Sequence, residues 1–89
     1  MTKDPLAPIR KRFRERALAD ADALAGALAA GDAVQIEALA HGLAGAAGIF
    51  GFTEISDRAK ALDARFAEGR PLSPPEVEAL IRLIRREMT

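Results

Sequence analysis

The chain has 89 residues, with 13 basic and 13 acidic side chains, one histidine and no cysteine. That length allows one domain with a modest core. The missing cysteines exclude a disulfide framework, a thiolate metal site and a cysteine nucleophile, and a single histidine excludes a multi-histidine zinc site. A formal net charge of zero argues against nucleic-acid binding driven by bulk charge, and four Phe with no Trp or Tyr offer no base-stacking platform. The start, Met-Thr-Lys-Asp-Pro, lacks the apolar core of a signal peptide, and the apolar run 33–52 is interrupted by Glu37 and His41. No membrane span is therefore expected, and the cytoplasm is the default location.

Helix 1 is expected over 5–30. Asp4-Pro5 or Ala7-Pro8 supplies its start, because Asp caps a helix and Pro fits only its first turn. Ile9, Phe13, Ala17, Leu24 and Leu28 recur at helical spacing, and Gly31 reads as the residue that ends the helix. Residues 10–16 hold Arg10, Lys11, Arg12, Arg14 and Arg16. They read either as a solvated face or as a docking patch for an acidic partner surface.

Helix 2 is expected over 33–50, opened by Asp32 with Gln35 three positions on, a capping-box pattern. The two-residue joint Gly31-Asp32 turns it back against helix 1. Its core stripe is Ile36, Leu39, Leu43, Ala47 and Phe50, and His41 lies roughly opposite, beside Ala38, Gly45 and Gly48. Gly51 marks the next break. Helix 3, over 54–68, takes Thr53 as its cap, Ile55, Ala59, Leu62 and Phe66 as its stripe, and Gly69 as its stop. Helix 4, over 74–88, has the clearest start. Ser73 caps, Pro74 fills the first position, Glu76 completes a capping box, and Leu72 and Val77 form a hydrophobic staple. Val77, Leu80, Ile81, Ile84 and Met88 make its stripe, with Arg82, Arg85 and Arg86 near its negative end. No strand pattern competes. The expected fold is a single all-α domain over 1–89, an antiparallel up-down-up-down four-helix bundle.

Gly42, Gly45 and Gly48 fall within seven residues of helix 2, although each costs about 0.5–1 kcal/mol relative to Ala. The gain expected is bare surface beside the lone imidazole. The run His41-Gly42-Leu43-Ala44-Gly45, with Gly51 six residues after Gly45, resembles the motif of histidine phosphotransfer (HPt) domains. His41, Leu43, Gly45 and Gly51 match that motif, and Ala44 stands where the family often has Lys.

The resemblance implies the same helical bundle and a passive carrier. A partner receiver domain brings its phospho-aspartate and Mg²⁺, His41 accepts the phosphoryl group, and a second receiver removes it. Receiver domains or a hybrid histidine kinase are the partners it implies, with no cofactor bound by this chain. The residues agree, since a solvent-facing neutral imidazole attacks through one nitrogen while the other holds its proton. Glu37, one turn before His41, can accept the Nδ1–H and leave Nε2 as nucleophile, or be a solvated acid that breaks up an apolar run. No phosphate loop and no carboxylate cluster for Mg²⁺ is seen, so ATP use by this chain alone is not expected.

Gly45 reads as an access residue on the face of His41, in preference to close helix packing. With Ala44 in place of Lys, either another cation serves, Lys60 or Arg58 of helix 3 being candidates, or the phosphohistidine is short-lived. Two other readings use the same bundle. It could dock a receiver or kinase without accepting phosphate, or it could self-associate through Gly42, Gly45 and Gly48. A monomer is expected.

Overall fold

The computed structural model describes residues 4–89 and folds them into α1 (Ala7–Ala30), α2 (Ala33–Ile49), α3 (Thr53–Ala67) and α4 (Pro74–Met88), with no strand among the described residues. Residues 1–3, part of the domain expected over 1–89, lie outside them. Asp4 organises the first turn. Its carboxylate accepts the Leu6 N–H at 2.9 Å and pairs with Arg10, and its carbonyl accepts the Ala7 N–H at 3.1 Å. The helix itself starts at Ala7, with Pro8 in its first turn.

Gly31 ends α1 in the left-handed conformation, φ 68°, which an L side chain rarely adopts. That geometry lets the Gly31 N–H reach the Leu28 carbonyl at 3.1 Å and the Asp32 N–H reach the Ala27 carbonyl at 2.8 Å. Asp32 then opens α2, its carboxylate accepting the Gln35 N–H at 3.1 Å. Gly51 and Gly69 end α2 and α3 in the same manner.

Two expected caps differ. α3 begins at Thr53 itself, whose hydroxyl donates to the Gly51 carbonyl at 3.5 Å rather than capping. Ser73 precedes α4, but its side chain makes no capping bond. Glu76, expected to close that box, faces Arg65 of α3 at 3.7 Å instead. Arg65 also donates to the Pro71 carbonyl at 3.4 Å, so one guanidinium ties the α3–α4 link to both helices.

The helices form a ring: α1 packs on α2 and α4, and α3 packs on α2 and α4, with no close backbone approach across the diagonals among the described residues. The core is aliphatic, built on Leu24, Ile36, Leu43, Ile55, Leu62, Val77, Leu80 and Ile84. Phe13 stacks on Phe52 at 5.3 Å and tilts against Phe50 at 5.5 Å, closing one end. Ile9, expected in the core, is 43% exposed. It lies one turn before Phe13, at the rim where α2 has ended. The α2 stripe is also rotated from its expected position. Ile36, Ala40, Leu43, Ala44 and Ala47 are buried, while Leu39 and Phe50 are half-buried. Phe66 is half-buried on α3, and Leu83 joins the α4 core.

Gly26 lies within α1, about one turn before its end at Ala30, with open space where a Cβ would stand. Gly26→Ala is expected to stabilise the domain by about 0.5–1 kcal/mol through helix propensity. A thermal melt followed by circular dichroism should show a midpoint raised by about 2–6 °C. A lowered midpoint would mean that the backbone at Gly26 is needed as it is.

Candidate functional site

The rotation of α2 has a local cause. Gly48 faces α3, and a Cβ added there would stand 3.2 Å from the Ser56 Oγ. The glycine thus lets the Ser56 side chain sit against the α2 backbone. Ser56, buried at this contact, donates its hydroxyl to the Ala44 carbonyl at 2.9 Å, so its polar atom is satisfied. The contact sets the register between α2 and α3. His41 precedes Gly48 by two turns on α2, and Asp63 follows Ser56 by two turns on α3. The two therefore meet.

His41 Nδ1 lies 3.0 Å from Asp63 Oδ2. A carboxylate only accepts, so Nδ1 carries the hydrogen and Nε2 has the free lone pair. The imidazole is 79% exposed and Asp63 31%. The hydrogen bond to Asp63 raises the His41 pKa above its ordinary 6.5, the Asp63 charge adds to this, slight desolvation opposes it, and Glu37 adds a weaker push upward. The Nδ1 partner is thus Asp63 and not Glu37, which acts only through its charge. Asp63 was missed in the sequence because nothing local marks it: it stands 22 positions from His41, beside the core residue Leu62.

The other expected site residues separate into distinct roles. Gly45 is exposed, with nothing within 4 Å of where a Cβ would stand, so it is bare surface one turn from His41. Gly48 is exposed as expected, but one side of it is taken up by the Ser56 side chain of α3. Ala44 is 7% exposed against α3. Gly42 faces α1, where the Arg16 Nη2 would be 3.1 Å from an added Cβ. Arg16 is held by Asp20 one turn on, Nε to Oδ2 3.6 Å. Burial pushes the Asp20 carboxyl up, and Arg16 partly draws it back. Lys60 is exposed one turn before Asp63. Arg58, the alternative cation, lines a cleft with Ala79, Arg82, Leu83 and Arg86 of α4, away from His41.

Around His41 the outward surface of α2 carries Ala38 and Gly45, and near its two ends stand Val34 and Ile49, 78% and 80% exposed. Among the described residues no group of three His, Cys, Asp or Glu side chains could hold a metal ion, and no helix is long and apolar enough to cross a membrane.

Fold and site together describe a helical bundle that presents one carboxylate-held imidazole to solvent. The Hpt domain family model matches residues 8–88, nearly the whole chain, and the chain belongs to that family. Its role is accordingly phosphotransfer in two-component signalling. No curated protein and no solved structure matches the chain.

Proposed function

We propose that this domain is a phosphorelay carrier that accepts a phosphoryl group on His41 Nε2 from a receiver phospho-aspartate and passes it to another receiver. The observation that carries this reading is the 3.0 Å contact between His41 Nδ1 and Asp63. It assigns the tautomer, and it faces a carboxylate to the ring when the ring gains positive charge. In the step, the Nε2 lone pair forms an N–P bond, the P–O bond of the acyl phosphate breaks, and the aspartate leaves as carboxylate. The proton stays on Nδ1. Mg²⁺ belongs to the receiver, and this chain acts as a carrier with no ATP chemistry of its own.

The surface around His41 supports a receiver as partner. Ala38 and Gly45 place no charged side chain in front of the imidazole, and Val34 and Ile49 give the face apolar ends. The up-down-up-down antiparallel arrangement of the helices belongs to this reading. It is supported by the pairs His41–Asp63, Ser56–Ala44, Arg65–Glu76 and Arg86–Glu54. A cytoplasmic monomer is the form proposed.

The test is transfer of radiolabel from a panel of phosphorylated receiver domains of one organism. Acid-labile, alkali-stable label on the domain is expected. A folded domain that binds a receiver yet stays unlabelled would replace the carrier by a docking module. Gly45→Leu should leave the fold intact, since the position opens to solvent. The added side chain should slow labelling by a receiver about tenfold or more through lost approach. Unchanged rates in the folded variant would remove the access role of Gly45.

A further inference from the structure

We propose that Arg16 of α1 is the cation that balances a phosphoryl group on His41, which makes α1 a third contributor to a site otherwise built by α2 and α3. The inference rests on His41 being the phosphoacceptor. A phosphoryl group brings a charge of about −1.5 to −2 and three acceptor oxygens. It would arrive beside two carboxylates, Asp63 and Glu37, and α2 contains neither Lys nor Arg. A compensating charge from within this domain therefore comes from another helix.

On α3, Arg65 is occupied by Pro71 and Glu76, and Arg58 faces α4. Lys60 shares the helix of Asp63. Asp63 takes Nδ1, and the two nitrogens of an imidazole point away from each other, so Nε2 is directed away from α3. On the α1 side of the same backbone lies Gly42, and the group resting on it is the Arg16 guanidinium. Glycine at this position is what allows that approach, because a Cβ would stand 3.1 Å from Nη2. Asp20 holds Arg16 through Nε. That leaves the two terminal nitrogens, the fork that suits phosphate oxygens, for a ligand. Arg12, one turn earlier, lines a shallow cleft together with Arg16, Ile9, Phe13 and Phe50, and extends the positive charge along α1.

The experiment needs no partner protein. Wild type, Arg16→Gln, Arg16→Lys and Lys60→Gln are phosphorylated with phosphoramidate, and the phosphohistidine is followed by ³¹P NMR. Circular dichroism checks that each variant folds, which the 55% exposure of the Arg16 side chain favours. In Arg16→Gln the phosphohistidine should decay about two- to fivefold faster, the range expected of an exposed ion pair. The pH midpoint of its ³¹P shift should also rise, because a nearby cation favours the dianion. Both differences should shrink in about 1 M salt, Arg16→Lys should recover part of each, and Lys60→Gln should match wild type. Equal lifetimes and midpoints in labelled wild type and Arg16→Gln would overturn the role of Arg16 alone, as would a larger effect from Lys60→Gln. A wild type that takes no label on His41 would overturn the phosphoacceptor reading, and this inference with it.

Discussion

Replacing His41 by glutamine is expected to abolish phosphoryl acceptance from any receiver while moving the melting midpoint by no more than about 3 °C. The two effects separate because the imidazole is 79% exposed and takes no part in the core. Its one hydrogen bond is to Asp63, itself partly in solvent, so removing it leaves no buried group unpaired. Chemistry has no such reserve. The chain holds one histidine and no cysteine, so no second imidazole or thiolate can take over. Side-by-side labelling of wild type and His41→Gln by a phosphorylated receiver measures this directly. Label retained at the wild-type level would move the acceptor to another residue and refute the assignment.

Asp63→Asn tests the arrangement that α3 provides. Two changes are expected, and they have different signs on different axes. The maximal rate of acceptance should fall by roughly ten- to a hundredfold, because an amide neither fixes the Nδ1–H tautomer as a carboxylate does nor faces a negative charge to the ring as it becomes cationic. At the same time the pH midpoint of the rate should move down. In the wild type the Asp63 hydrogen bond, followed by the Asp63 charge, holds the His41 pKa above 6.5. Only neutral imidazole has a free Nε2 lone pair, so the wild-type rate rises with pH through a midpoint above that value. Without the carboxylate both leading causes vanish, and the midpoint falls toward the ordinary histidine range. The linked stability has the matching sign: the ion pair favours the folded state below the ordinary pKa of histidine, and its contribution is lost as pH rises through the raised one. Rate measurements between pH 5.5 and 8.5 on both proteins (a window of about one to two units on either side of the ordinary value) decide the matter. An unchanged midpoint in Asp63→Asn would show that Asp63 does not hold the imidazole in solution. Glu37→Gln makes a useful comparison, since Glu37 acts on His41 only through its charge and more weakly.

The sequence by itself determined the helices and their stops. Repeats at helical spacing, Asp32 as a cap and the left-handed glycines Gly31, Gly51 and Gly69 depend on contacts within a few residues along the chain, so they are legible without a fold. It also determined that His41 faces outward and that Gly45 beside it is bare, because both follow from the angle around one helix. Even at this level the capping box before α4 did not form: the Ser73 side chain makes no capping bond, and the Glu76 carboxylate faces Arg65 of another helix. Only the tertiary structure decided which carboxylate meets the imidazole, what separates Gly42, Gly45 and Gly48, and where Arg16 lies. All three depend on how far α2 is rotated and slid against its neighbours. That register is set by the Ser56 side chain, which sits against Gly48 and donates its buried hydroxyl to the Ala44 carbonyl, a contact that no local period connects. An error of one turn, about 5.4 Å, would leave every helix in place and still part His41 from Asp63.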